Sequence, residues 1–209
     1  MKLTVFGATG FTGGLVVAQA LARGDEVVAL VRDAARMTQR HPRLTVLTGS
    51  PTSTSDVGRA VCGADAVIHC LGIGGKGDGK PTTLISDSVI ATLAAMTMHG
   101  VPRIVCMSNV GAGGSGTWFA NRVVIPLFLR WLIPIVEDKD RMEAALRASA
   151  VEWVSVRLPS IVEGPERPVR VRDDGRGIGL SITAASAARF LLARATGTAF
   201  LRATPSIGH

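Results

Sequence analysis

At 209 residues, 47% apolar and 19% charged, the chain has ample material for one packed core, which excludes a disordered protein. A formal charge of +7 would suit an anionic partner, but the arginines are spread from Arg23 to Arg202 without a dense basic run, and six Phe, three Trp and no Tyr leave no stacking platform for single strands, so nucleic acid is not expected as a partner. No apolar run approaches the roughly 18 residues of a membrane span. The start, Met1 to Gly7, is too short for a signal peptide's apolar stretch. A cytoplasmic protein with no membrane partner is therefore expected. Cys62, Cys70 and Cys106 lie far apart without metal-type spacing and read as reduced thiols, with no metal site.

In chain order, apolar runs of strand length fall at Leu3 to Phe6, Glu26 to Val31, Leu44 to Leu47, Ala66 to Cys70, Arg103 to Met107 and Trp153 to Arg157. Segments of helical period separate them at Thr12 to Arg23, Ser55 to Cys62, Thr82 to His99 and Glu137 to Ser149. Strict alternation implies right-handed crossovers and a doubly wound parallel sheet. Gly24 and Gly100 are placed to end their helices, and Thr54-Ser55-Asp56 to begin one. Two segments break the rhythm. Leu71 to Lys80 is glycine-rich and reads as a mobile rim, while the apolar Trp118 to Val136, interrupted by Pro126 and Pro134, reads as a broken helical excursion serving as core, subunit contact or lid. Beyond Pro159 the pattern predicts a hairpin around Asp173 to Gly177, a helix over Thr183 to Ala195 and a last strand over Thr198 to Leu201.

The strongest local signal is Gly7-Ala8-Thr9-Gly10-Phe11-Thr12-Gly13, which follows the first strand and opens a helix. Glycines there permit a tight turn and close approach to a pyrophosphate, which the helix N-terminus then faces. Gly7, Thr9, Gly10, Phe11, Thr12 and Gly13 are accordingly the first candidate cofactor-binding residues. At the end of the second strand stands Val31-Arg32-Asp33-Ala34-Ala35-Arg36, where an NAD-preferring site would carry a carboxylate for the ribose 2′-hydroxyl. Arg32 and Arg36, four residues apart, suit a 2′-phosphate instead, with Asp33 orienting them, so NADPH is the expected cofactor. The fold class is then α/β, a Rossmann-like doubly wound parallel sheet, in one domain over residues 1–209 with a small C-terminal substrate-side extension. Substrate-side elements are expected at about 111–136 and 159–182.

Beyond these motifs, Pro81-Thr82-Thr83, His99-Gly100-Val101, Asp140-Arg141-Met142 and Asp174-Gly175-Arg176-Gly177 carry a further likeness. Together with Phe6 to Gly10 and Leu30 to Asp33, they make the chain resemble, over nearly its whole length, the atypical short-chain dehydrogenase/reductases with an NAD(P)H-binding domain, within them the biliverdin reductase B or flavin reductase group. The resemblance implies that Gly10, Thr12 and Gly13 meet the pyrophosphate, Arg32 and Arg36 the 2′-phosphate, and Leu71 and Gly72 the adenosine and central riboses. It further implies that Cys106 and Ser108 match a Cys-x-Ser segment beside the nicotinamide, and that Pro159 is the proline after the sixth strand. Two positions depart from that group. Gly49-Ser50-Pro51 lacks a carboxylate expected near the adenine edge, and Pro159-Ser160 lacks a histidine of the substrate pocket.

The chain has no tyrosine, which excludes carbonyl chemistry through the usual tyrosine with a lysine four residues on. Hydride transfer needs mainly an oriented nicotinamide and a stacked acceptor. Ser108, Lys139 and Ser160 are the candidate catalytic residues. Ser108 either caps its strand end or bonds the substrate or carboxamide; Lys139 either reaches the nicotinamide ribose or substrate side, as the resemblance implies, or forms an exposed ion pair with Glu143. Cys106 sits in an apolar strand without a base, and His69 and His99 lack an evident relay. The expected function is NADPH-dependent reduction of a conjugated, largely apolar small molecule of flavin, tetrapyrrole, quinone, enone or imine type. The alternative is a non-catalytic NADP(H)-binding regulator similar to NmrA-like proteins. A monomer or homodimer suits either.

Overall fold

The computed structural model describes residues 1–73, 79–116 and 130–209. The predicted Leu71 to Lys80 rim and Trp118 to Val136 excursion therefore fall in large part outside the described residues. Strands β1 (Lys2–Phe6), β2 (Glu26–Val31), β3 (Leu44–Thr48), β4 (Ala66–His69), β5 (Arg103–Gly113) and β6 (Glu152–Leu158) run parallel in the order β3-β2-β1-β4-β5-β6. Beyond β6 come β10 (Ser206–Gly208) and β8 (Arg170–Arg172), the latter antiparallel to β10, which completes eight strands. The pair β7 (Ser160–Val162) and β9 (Ser181–Thr183) lies apart. Strand order reverses between β1 and β4, which opens a crevice at their carboxyl ends.

The strands read as unbroken apolar runs because both faces are covered. Leu3 and Val5 of β1 face a core closed by α1 (Phe11–Arg23) and α5 (Ala184–Arg194), while Phe6 faces a second core under α2 (Thr54–Val61), α3 (Leu84–His99) and α4 (Ile133–Ala148). No helix among the described residues is long and apolar enough to cross a membrane. α1 and α3 end at Gly24 and Gly100 as expected, whereas α2 is capped by Ser53, whose hydroxyl accepts the Asp56 N–H, one residue before the predicted cap.

Two expectations near the carboxyl end are corrected. Residues 198–201 form a turn rather than a strand, because Phe200 and Arg202 adopt φ of 66° and 56°, which no strand accommodates. Arg202 there binds the Ser149 and Val151 carbonyls, and the last strand forms at Ser206–Gly208 instead. Nor do residues 173–177 close a hairpin: β8 pairs with β10 in the register Ser206 to Arg172, and β9 pairs with β7. The returning backbone occupies the space a hairpin would need, since a Cβ on Gly208 would stand 2.0 Å from the Ile178 carbonyl oxygen.

The start of α3 is buried, so its free amides need acceptors. Thr83 supplies no side-chain cap; Asp138 of α4 does, its two oxygens accepting the N–H groups of Ile85 at 2.9 Å and Ser86 at 3.1 Å. Asp138→Asn would turn a donor onto one of these amides. It should destabilise the fold by about 1–3 kcal/mol, seen as a lower urea midpoint at unchanged slope, whereas Arg141→Met, removing an exposed partner of the same carboxylate, should have little effect.

Candidate functional site

The loop from Gly7 to Gly13 turns from β1 into α1 at the crevice. Gly7 takes a φ of +77°, and a Cβ on it would stand 2.6 Å from the Cys70 carbonyl oxygen at the end of β4. A Cβ on Gly13 would stand 2.1 Å from the Gly7 oxygen, so the first turn of α1 lies directly on the loop. Gly10 is the N-cap and offers no capping side chain, and the first turn holds no carboxylate. The amides there are thus available to an anion, which the helix dipole also favours. Thr12 and Gly13 are buried; Thr9 is half-buried, Gly10 is exposed and Phe11 is 54% exposed.

Arg32 and Arg36 are both exposed beyond β2, Arg32 just before a short 3-10 turn from Ala34 to Arg36 and Arg36 at its end. Asp33 accepts the Ala35 N–H at 2.9 Å and so fixes the turn rather than the guanidiniums. Gly72, beyond β4, is exposed with open space where a Cβ would be. A glycine cradle, free amides and two exposed cations at one sheet edge fit a nicotinamide dinucleotide.

On the other side of the crevice α4 lays charged groups under the strand ends. Lys139 is 2% exposed, and its Nζ donates to the carbonyls of Met107 at 2.5 Å and Leu71 at 3.3 Å. Lys139, Leu71 and the middle of β5 are thereby brought together. Burial lowers the Lys139 pKa from 10.5 to about 8. Four residues on, Glu143 is fully buried and accepts from Arg157 Nε at 3.0 Å and Nη2 at 2.6 Å, from Arg147 at 2.9 Å, and from the hydroxyls of Ser108 at 3.0 Å and Ser155 at 3.2 Å. Burial alone would raise its pKa; the bonds and charge of Arg157, with Ser108 and Arg147, outweigh it and hold the carboxyl below its ordinary range.

The exposed ion pair between Lys139 and Glu143 does not form, since both are buried and each bonds other partners. Ser108 is 1% exposed with its hydroxyl donated to Glu143. Cys106 is fully buried and burial pushes its thiol well above the ordinary thiol range; burial likewise pushes the Cys70 thiol up to about 12. Ser160 is exposed at the start of β7 beside the half-buried Pro159; no bond joins either to the Lys139 group. Arg157 and Asp138 were not singled out by sequence, although an arginine inside the apolar run Trp153 to Leu158 signals a buried carboxylate partner. His69 does have a serine neighbour: its Nε2 lies 2.8 Å from Ser88 Oγ, and burial, with the Lys139 charge, lowers its pKa to about 3.

A family model of NAD(P)H-binding proteins matches residues 7–197, and the chain belongs to that family. Over 72 residues it is 36% identical to a 3-beta-hydroxysteroid dehydrogenase of Mycolicibacterium neoaurum, a match covering 34% of this chain and only 19% of that protein's length. Among solved structures, a short-chain dehydrogenase/reductase (wide type) from Veillonella parvula DSM 2008 in complex with NADP superposes with a TM-score of 0.83 at 17% identity, covering 100% of this chain and 94% of the other. ChuY, an anaerobillin reductase from Escherichia coli O157:H7, superposes at 0.77 with 19% identity, covering 100% and 97%. These likenesses establish the short-chain dehydrogenase/reductase fold.

Lys139 keeps its proton to about pH 10.5 when unfolded but only to about 8 in the fold, so between these values the unfolded chain binds more protons and stability rises with pH. The rise amounts to at most about 3 kcal/mol and its cost is fully present below pH 8. Urea unfolding of wild type and Lys139→Met at pH 7.5 to 10.5 reads it as the difference in slope. Subtraction removes the opposite contribution of Cys70 and Cys106. Parallel profiles would contradict the assignment.

Proposed function

We propose that this NAD(P)H-binding protein is an NADPH-dependent reductase that delivers hydride to a conjugated, largely apolar small-molecule acceptor of flavin, tetrapyrrole, quinone, enone or imine type. The observation that carries the cofactor choice is the pair Arg32 and Arg36, exposed beside the crevice that the glycine loop opens and, among the described residues, without an ion-pair partner. In that reading Gly7, Thr9, Gly10, Phe11, Thr12 and Gly13 hold the pyrophosphate, Arg32 and Arg36 the 2′-phosphate, and Leu71 and Gly72 the adenosine side. Cys106, Ser108, Lys139 and Pro159 border the nicotinamide. The bound cofactor supplies the hydride.

The protein's own part is orientation, exclusion of water and proton supply. Position 135, four residues before Lys139 where the usual tyrosine would stand, is a buried isoleucine. Lys139 Nζ has three protons and two carbonyl acceptors, which leaves one N–H for a ligand at the crevice. Ser160 offers an exposed hydroxyl, while Ser108 acts by holding Glu143 in place. The acceptor would lie beneath residues 111–116 and 159–182, which the Gly116 N–H joins by bonding to the Asp174 carbonyl at 2.9 Å. The likeness to the anaerobillin reductase supports a tetrapyrrole-sized acceptor, and that to the hydroxysteroid dehydrogenase supports an apolar one. The inward Ser108 hydroxyl and Ile135 favour one second reading, an NADP(H)-binding regulator without turnover.

Purified protein with NADPH and a panel of these acceptors, followed at the reduced-nicotinamide absorbance band, separates the two. Turnover with at least one class is expected, and binding of NADPH without oxidation of any would favour the regulator. Arg32→Ala should lose on the order of 1.5–3 kcal/mol of NADPH affinity and leave NADH affinity unchanged. Equal losses for both, measured by titration, would refute the role of Arg32.

A further inference from the structure

We propose that a cavity on the flank of α1, which shares Phe11 with the phosphate loop but is otherwise lined by different residues, binds a small apolar amine. The space, of about 500 Å³, lies between α1, the start of α5 and the loop after β7, a size suited to a small organic ligand. Phe11, Leu15 and Ala18 form its wall on one face of α1, and Ala184 faces them from α5. Small residues on both helices leave the gap, and the 54% exposed Phe11 ring gives it an aromatic side.

Its polar groups are acceptors. The Gln39 side-chain nitrogen donates to the Gly14 carbonyl at 2.7 Å, and its side-chain oxygen Oε1 has no partner among the described residues. The exposed Glu163, among the described residues the one charged side chain lining the cavity, has no partner there, whereas nearby Glu166 is paired with Arg189 at 3.0 Å. The segment that presents Glu163 is pinned to α5. The Arg167 N–H donates to Ser186 Oγ at 2.8 Å, His209 Nδ1 bonds the Pro168 carbonyl at 2.9 Å, and Gly164 packs so closely on Thr183 that a Cβ would lie 3.0 Å from its methyl group. Apolar walls with a single unpaired carboxylate complement an apolar body bearing an ammonium group. Charge separates this place from the cofactor crevice, where the exposed groups are arginines and helix amides suited to an anion. The inference does not depend on the reductase reading.

Dansylcadaverine, a naphthalene ring on an amine-terminated chain, and dansylglycine, the same ring with a carboxylate, test it through fluorescence and anisotropy titrations at saturating NADPH. Saturable binding of dansylcadaverine at least tenfold tighter than dansylglycine is expected. That preference runs against the chain's net charge of +7, which by itself favours the anion. Glu163→Gln should weaken dansylcadaverine at least fivefold and abolish the preference. Ala18→Leu, filling the gap from an exposed helix position, should weaken both probes, and neither variant should change NADPH affinity by more than twofold. Absence of saturable binding, a preference that survives Glu163→Gln, or displacement of the probe by NADPH would each overturn the proposal.

Discussion

Three backbone segments meet at the carboxyl end of β1 with no side chain between them. The Gly7 turn lies against the Cys70 carbonyl, and Gly13 brings the first turn of α1 against the Gly7 carbonyl. Any residue with a Cβ at either position would push α1 off the sheet or β4 away from β1. This contact aims the uncapped amides of α1 across the crevice between β1 and β4. The loop after β2, with its arginines, and the open Gly72 after β4 follow from the same topology.

The opposite rim is organised by charge rather than by close backbone approach. α4 buries Asp138, Lys139 and Glu143, and each is satisfied by a different neighbour: the α3 amides, the carbonyls of Leu71 after β4 and Met107 within β5, and Arg157 with two serines. A buried ion pair contributes little net stability, but removal of one partner is costly, so the row fixes where α4 sits. It reaches the loop after β5 as well. Asp140 accepts the Gly113 N–H at 2.6 Å, and a Cβ on Gly113 would stand 2.1 Å from Arg157 Nη2, so glycine is needed for the guanidinium to pass beneath.

Much of this was legible in the sequence, for physical reasons. Parallel strands covered on both faces leave continuous runs such as Val27 to Val31, and glycines mark the loop and two helix ends, so the sheet and the phosphate loop could be read locally. The α4 row could not. Glu137-Asp138-Lys139-Asp140-Arg141 has the composition of a solvated helix face, and only tertiary packing selects which of those charges are buried. The same holds for His69, whose Ser88 neighbour comes from α3, and for Ser108, whose hydroxyl direction depends on Glu143. The late strand was misplaced because Phe200 and Arg202, neither of them glycine, adopt left-handed conformations held by long-range bonds.

A crystal structure of the protein grown with NADP tests the central claim most directly. The account predicts pyrophosphate oxygens within hydrogen-bonding distance of the amides of the first α1 turn, the 2′-phosphate against Arg32 and Arg36, and the nicotinamide on the Lys139 side of the crevice. A dinucleotide bound elsewhere, or one whose 2′-phosphate points away from both arginines, would contradict it.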